Sequence, residues 1–346
     1  MDIIITIQHP AHVHFFKHTI WELNEDGHNV TVFARENEIT VELLDQLELP
    51  HTILAKSADS KLRLPLIQTK YELKLLQKAR KIQPDVLMAI GEPAITHVGK
   101  LLDADSILFI DTEHSKLQKK ISVPFASRIY TPDCFKHELG EQHVRYPGYH
   151  ELAYLHPNRY EARTDGLEEH GVRTENTISV VRFVGWNANH DVGHKGFSPA
   201  AKQEIVTLLD EVGNVYISAE GDLPAELEEY RLSLPPHLIH DLLATAEYYI
   251  GDSGTMATEA ALLGTPSIRS NSFVEDDNPG VFEELQYEYD LVYTTADERD
   301  AIRKLEEFIK TDDIHQQWER KRSTLLNEKI DTTEFILKQL VGGMSY

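Results

Sequence analysis

Residues 250–266 read Ile250-Gly251-Asp252-Ser253-Gly254-Thr255-Met256-Ala257-Thr258-Glu259-Ala260-Ala261-Leu262-Leu263-Gly264-Thr265-Pro266. Glu247 to Ile250 reads as a short buried strand, and Asp252, Ser253 and Gly254 break the apolar run. Met256 to Leu263 is rich in good helix formers, and Gly264 followed by Pro266 is a stop signal. The unit is a strand, a tight Gly turn and a short helix. Such a turn aims unpaired backbone N–H groups and the positive end of a helix at one point, which suits a phosphate. Glu259 lies one turn beyond Thr255, about 6 Å along the axis. That is close to the offset between a diphosphate and its ribose, and a carboxylate can accept two hydrogen bonds from a sugar diol. A capping box would place Glu three residues after the cap. Thr258 holds that place if Thr255 caps, so capping leaves Glu259 as either a ligand group or a solvated helix charge.

The same alternation extends on both sides. Upstream, Thr177 to Phe183 is a strand, followed by a polar loop to Phe197, a helix from Ser198-Pro199 to about Glu211, and a strand over Val215 to Ser218. Arg182 closes the first of these strands, and His190, His194 and Lys195 lie in its loop; they are the cations a diphosphate needs. A sheet-edge Arg182 paired with a surface carboxylate is the equally weighted alternative. Ile239 reads as the end of a short strand, with His240 or Asp241 starting a helix. Downstream come strands over Ser267 to Ser270 and Leu291 to Thr294, then helix over Ala296 to Lys310 and Ile314 to Gly342.

The first half repeats the pattern: strands over Asp2 to Ile7, Val30 to Ala34, His51 to Leu54, Val86 to Ile90, Ile107 to Ile110 and Arg128 to Tyr130, with helices between, including Phe15 to Glu25 and Leu66 to Ile82. Strands alternating with helices imply doubly wound parallel sheets. In these, ligands bind beyond the carboxyl ends of the strands. The residues found there are His9, His12 and His14 after the first strand, Glu92 after Ile90, and Asp111, Glu113 and His114 after Ile110. His12, His14, Glu92 and Glu113 are the candidates for acid–base chemistry near neutral pH. The three histidines do not form an established ligand spacing, so no metal is expected. Each imidazole could equally be a cap or a packing group, and Asp111 a helix cap. The turn from Tyr146 to His150 and the polar run Thr164 to Asn176 mark the domain boundary.

The run Asp252-Ser253-Gly254-Thr255-Met256-x-x-Glu259-Ala260-x-x-x-Gly264-x-Pro266 resembles the donor-site signature of GT-B enzymes. It is similar to the matching segment of UDP-N-acetylglucosamine 2-epimerases and of the lipid-linked N-acetylglucosaminyltransferase of peptidoglycan synthesis. The whole chain most resembles the GT-B-like family catalogued as domain of unknown function 354. The resemblance implies two Rossmann-like domains facing a cleft: 1–155 on the acceptor side, 177–325 on the donor side, and 326–346 returning to the first domain. It implies a glycosyltransferase using a nucleotide-sugar, UDP-linked and metal-independent, with the nucleotide-sugar as co-substrate and no cofactor. Ser253, Gly254 and Thr255 would hold the diphosphate, Glu259 the ribose, Arg182 the phosphate charge, and His240 would border the base. A 2-epimerase or hydrolase on the same fold is the rival. Epimerases of that kind carry a Glu-x-x-x-Arg pair that is absent after Glu113, where Lys116 to Lys120 stands, leaving Glu92 and Glu113 as substitutes. An inactive nucleotide-sugar-binding or assembly protein is the reading from another class.

Bulk properties bound the partners. The 346 residues suit two domains, and 41% hydrophobic residues suffice for two cores. No apolar run approaches the roughly 20 residues of a membrane helix. Met1 leads directly into Ile3-Ile4-Ile5, so no signal peptide is expected. Cys134 is the sole cysteine, and the cytoplasm is the expected compartment. A net charge of −23 argues against nucleic acid and anionic membranes as partners. The acceptor is unknown; a lipid-linked acceptor and a homodimer are both compatible with the sequence.

Overall fold

The computed structural model describes residues 1–37, 39–56, 64–185, 196–271 and 278–342. The chain divides into two compact units. The first comprises Met1–Arg159, Pro279–Val281 and Lys329–Tyr346, and the second Tyr160–Asn278 and Phe282–Glu328. No described helix is long and apolar enough to cross a membrane.

The first unit contains β1 (Asp2–Ile7), β2 (Asn29–Glu36), β3 (His51–Lys56), β4 (Val86–Ile90), β5 (Asp105–Phe109), β6 (Arg128–Pro132) and β7 (His143–Tyr146). All pair in parallel, in the order β3-β2-β1-β4-β5-β6-β7. The near-continuous apolar runs of β1 and β4 follow from burial on both faces of a parallel sheet. Ile4, Phe33, Leu87 and Leu108 form one core with Tyr71, Leu75 and Val98 from the helices Leu64–Ile82 and Pro93–Leu102. The strand β7 has no counterpart in the sequence pattern, where Tyr146 reads as the start of a turn. It is an edge strand paired only with β6, so polar His143 and Arg145 are tolerated and the apolar signal is lost.

The second unit contains β8 (Ile178–Phe183), β9 (Asn214–Ala219), β10 (Tyr248–Gly251), β11 (Ser267–Ser270) and β12 (Val292–Thr295), again all parallel, in the order β12-β11-β10-β8-β9. The expected strand ending at Ile239 is absent: a turn of 3₁₀ helix, Pro236–Leu238, runs into an α-helix, Ile239–Thr245. Paired prolines ahead of the segment start the helical turn instead. The expected single helix over Ile314 to Gly342 is two, Ile314–Glu328 and Thr332–Gly342. The break coincides with the passage from the second unit back to the first. Within the first unit it is fastened by Lys329 Nζ on Asp133 Oδ1 at 2.8 Å, Arg159 Nε on Asp331 Oδ2 at 2.6 Å, and Phe335 stacked on Tyr146.

Each sheet reverses its winding once, between β1 and β4 in the first and between β8 and β10 in the second. The loops that leave these pairs splay apart and open a crevice at the strands' carboxyl ends. His12 and Gly91 follow β1 and β4; Val184 and Asp252 follow β8 and β10.

Candidate functional site

In the second unit the Gly turn opens the helix Gly254–Leu263. The cap is Ser253, not Thr255: its hydroxyl accepts from Met256 N at 3.4 Å. Gly254 and Thr255 are therefore the first two helical residues, and their amides have no acceptor among the described residues. Thr255 is exposed, and Ser253 and Gly254 are half-buried. Gly264, at φ +91°, ends the helix in the left-handed conformation that its lack of a β-carbon permits.

Asp252, which the sequence marked only as a break, fixes this geometry. It is 3% exposed. Its Oδ1 accepts from Val184 N at 2.7 Å, and its carbonyl accepts from Asn271 Nδ2 at 3.0 Å. The chain ends of β8, β10 and β11 are thus tied together at one residue, two positions before Gly254.

The side chains here are largely committed. Arg182 donates to Ser218 Oγ at 2.7 Å and pairs with Glu220, the partner that the alternative reading required. His190, His194 and Lys195 lie outside the described residues. His240 Nε2 and Glu259 Oε1 are 3.0 Å apart, and both side chains are buried, 2% and 5% exposed. Glu259 is thus neither a solvated charge nor a bare carboxylate. Gly254 is needed for close approach: an added β-carbon would lie 2.7 Å from Phe282 Cζ. Valine at 254 therefore disturbs packing as well as any ligand. The Phe282 ring is covered on another side by Arg269, whose guanidinium carbon is 3.7 Å from the ring centroid. Burial pushes Arg269 down to about 10. Sequence reasoning passed over this residue, although an arginine within Ser267 to Ser270 on an otherwise buried strand was the available signal.

In the first unit the histidines do not share a loop. His9 caps the helix Pro10–Glu25, its Nδ1 accepting from Ala11 N at 3.2 Å, and Pro10 occupies the first helical position. His12 and His14 therefore lie on helix, where two residues turn about 200°. The consequence is separation: His14 is buried with its ring 5.2 Å from Tyr154, while His12 lines a pocket of about 170 Å³ with Gly91, Asp111, Thr112, Gln118 and Lys119. The expectation that His9, His12, His14, Glu92, Asp111, Glu113 and His114 converge on one rim holds for His12 and Asp111 alone in this pocket. Glu92 caps the helix Pro93–Leu102 instead, accepting from Ala94 N at 2.9 Å and Gln68 Nε2 at 2.7 Å, and burial raises its pKa. Glu113 Oε1 accepts from the amides of Lys136 and Gly280, each at 3.2 Å.

His150, absent from the sequence-based set, supplies what those residues do not. It follows β7, is 5% exposed, and places Nδ1 3.1 Å from Asp111 Oδ2 without the angle of an aligned hydrogen bond. Neither of its ring nitrogens, nor His12 Nδ1, has a hydrogen-bond partner among the described residues. Burial, then His9, holds His12 down at about 3, with Asp111 opposing and His150 adding to the depression. Burial disfavours the Asp111 carboxylate, yet the neighbouring His150 and His12 hold its pKa below the ordinary range. At neutral pH the pocket lining therefore carries a neutral His12 imidazole together with an ionised Asp111 carboxylate.

A family described as "Protein of unknown function (DUF354)" matches residues 1–340. An uncharacterized protein of Methanocaldococcus jannaschii is 22% identical over 279 residues, covering 78% of this chain and 81% of that protein. Among solved structures, the UDP-GlcNAc 2-epimerase of Neisseria meningitidis bound to UDP-GlcNAc superposes with a TM-score of 0.64 at 11% identity, over 99% of this chain and 100% of that one. A spinosyn rhamnosyltransferase complexed with thymidine diphosphate gives 0.62 at 15% identity, over 98% and 99%. The fold is that of GT-B glycosyltransferases and epimerases.

Proposed function

The chain belongs to the DUF354 family, and from that premise we propose that it is a nucleotide-sugar-dependent glycosyltransferase whose second unit holds the donor. One observation carries this reading. Two consecutive main-chain amides, of Gly254 and Thr255, stand unpaired among the described residues at a helix start, where the second sheet reverses its winding. Backbone donors at such a point bind diphosphate and stabilise the charge that develops as it departs. Gly254 and Thr255 hold the diphosphate in this reading, with Ser253 shaping the turn. Glu259, held by His240, turns its remaining acceptor capacity to the ribose. In the first unit, neutral His12 takes the proton of the acceptor hydroxyl and Asp111 stabilises the imidazolium that forms.

Epimerisation is the second reading, favoured by the likeness to a 2-epimerase with UDP-GlcNAc bound over the full chain. Against it, Glu92 and Glu113 are engaged as backbone anchors. A thermal-shift screen with UDP-, GDP-, dTDP- and CMP-linked sugars tests the shared premise: one nucleotide class raises the melting temperature, and no shift with any of them removes both readings. Incubating the stabilising sugar without an acceptor then separates the two. An isomer altered at C2 identifies an epimerase, whereas unchanged sugar is expected for a transferase. Binding without turnover across an acceptor panel would leave a binding protein.

A further inference from the structure

The charge of −23 is unevenly spread, and one face of the first unit is basic and apolar together. Three neighbouring helices build it: Leu64–Ile82, Pro93–Leu102 and Lys116–Ser122, the last continuing into the 3₁₀ turn Val123–Phe125. His97 stitches them. Its Nδ1 lies 2.9 Å from Glu72 Oε1 on the first helix, its Nε2 lies 2.9 Å from the carbonyl of Ile121 on the third, and its ring meets Phe125 edge-on. Large apolar side chains stand in solvent around this point. Leu73 adjoins Glu72 and is 61% exposed; Leu101, one turn beyond His97, is 66% exposed; Leu117, one turn before Ile121, is 73% exposed. Ile121 and Phe125 are also exposed.

The charges on the same elements have the sign opposite to the chain's. The first helix carries Lys70, Lys74, Lys78, Arg80 and Lys81 against Glu72 alone, and that one acid is paired with His97. The second helix has Lys100 and no acid, and the third has exposed Lys116 and Lys120 and no acid, its Lys119 being turned inward to donate to the Glu113 carbonyl at 2.8 Å. Exposed apolar groups normally occur singly. A cluster of them rimmed by lysines matches a bilayer with anionic headgroups, where leucine and phenylalanine enter the acyl boundary and lysine stems extend to the phosphates.

We propose that this face docks the protein reversibly on an anionic lipid surface. The proposal is independent of the transferase reading, because none of the residues substituted in its test is assigned to the donor or lines the His12 pocket. The test is flotation of the full chain with phosphatidylcholine vesicles and with phosphatidylcholine–phosphatidylglycerol vesicles, at low and high salt. Wild type should float with the anionic vesicles and less so at high salt. Lys70→Glu/Lys78→Glu/Lys81→Glu should reduce the bound fraction by at least about tenfold. Leu117→Ser/Phe125→Ser should weaken binding at both salt levels. All these side chains are exposed, and circular dichroism checks the fold. Lys310→Glu, on an exposed lysine of the second unit, should float like wild type. Failure of wild type to float with anionic vesicles, or flotation unchanged in both patch variants, overturns the proposal. A wild-type dimer that becomes monomeric in Leu117→Ser/Phe125→Ser, without lipid binding, assigns the face to a second copy of the chain and overturns it equally.

Discussion

At the carboxyl end of the first sheet, the polar atoms without partners among the described residues belong to side chains: His12 Nδ1 and both nitrogens of His150. At the corresponding end of the second sheet Arg182 pairs with Glu220, His240 with Glu259, and Ser253 with Met256 N, leaving among the described residues the guanidinium Nε atoms of Arg182 and Arg269, which cannot shuttle protons near neutral pH, beside the main-chain amides of Gly254 and Thr255. Side-chain imidazoles can take and return protons; amides cannot, but they are preorganised donors of fixed direction. The contrast suits the first region to proton transfer and the second to holding a charged group that must not be protonated.

The largest expected effect would break the first half of that comparison. His12→Ala should lower donor turnover by about 10²–10⁴-fold while leaving nucleotide affinity unchanged, measured by nucleotide release and calorimetry. Equal losses in both would mean that the two regions are not separate in role. The same residue has a stability signature. Its folded pKa of about 3 lies below its unfolded value of 6.5, so the unfolded chain takes up the proton first as pH falls. Stability should be flat above about pH 6.5 and decline from there toward pH 3. His18, lowered to about 3 by burial and by Lys17, acts in the same window, so His12→Gln should remove only part of the slope.

The second half is tested by Thr255→Pro. Proline is tolerated in the first turn of a helix, so the fold survives while one unpaired amide is deleted. Nucleotide affinity should fall roughly 10- to 100-fold, the scale of a hydrogen bond to a charged group. Undiminished affinity would reject the main-chain reading. This replacement is cleaner than valine at 254, which meets Phe282.

Glu259→Ala separates packing from binding. It removes the carboxylate from buried His240 Nε2, and the ligand-free protein should lose about 1–3 kcal/mol in denaturant unfolding. Glu259→Gln should retain most of that stability; if it still loses nucleotide affinity, the carboxylate has a ligand role beyond the pair. The smallest effect belongs to Glu220→Gln. Releasing Arg182 should tighten nucleotide binding by no more than about 1 kcal/mol, and weakened binding would mean that the pair is needed intact.

Legibility differed between backbone and side chains. The parallel alternation, the Gly turn and its C-terminal stop were readable because they depend on local periodicity and on residues with special backbone freedom. The first helix was placed five residues late, because Pro10 at its start looks like a break unless His9 is recognised as its cap. That one displacement made His12 and His14 seem neighbours on a loop, when the helix turns them apart. His150 and Arg269 were missed for a related reason: neither belongs to a local motif, and each gains its importance from strands distant in sequence.

By itself the sequence determined the architecture of two parallel α/β sheets and the position of the Gly turn that starts a helix, because hydrophobic period, glycine and proline act within a few residues of themselves. Only the tertiary structure decided which polar side chains are consumed by one another and which remain for chemistry. Hydrogen-bond pairing is a matter of distances of about 3 Å, and Arg182 and Glu220, and His240 and Glu259, reach such distances only when separate elements are laid side by side.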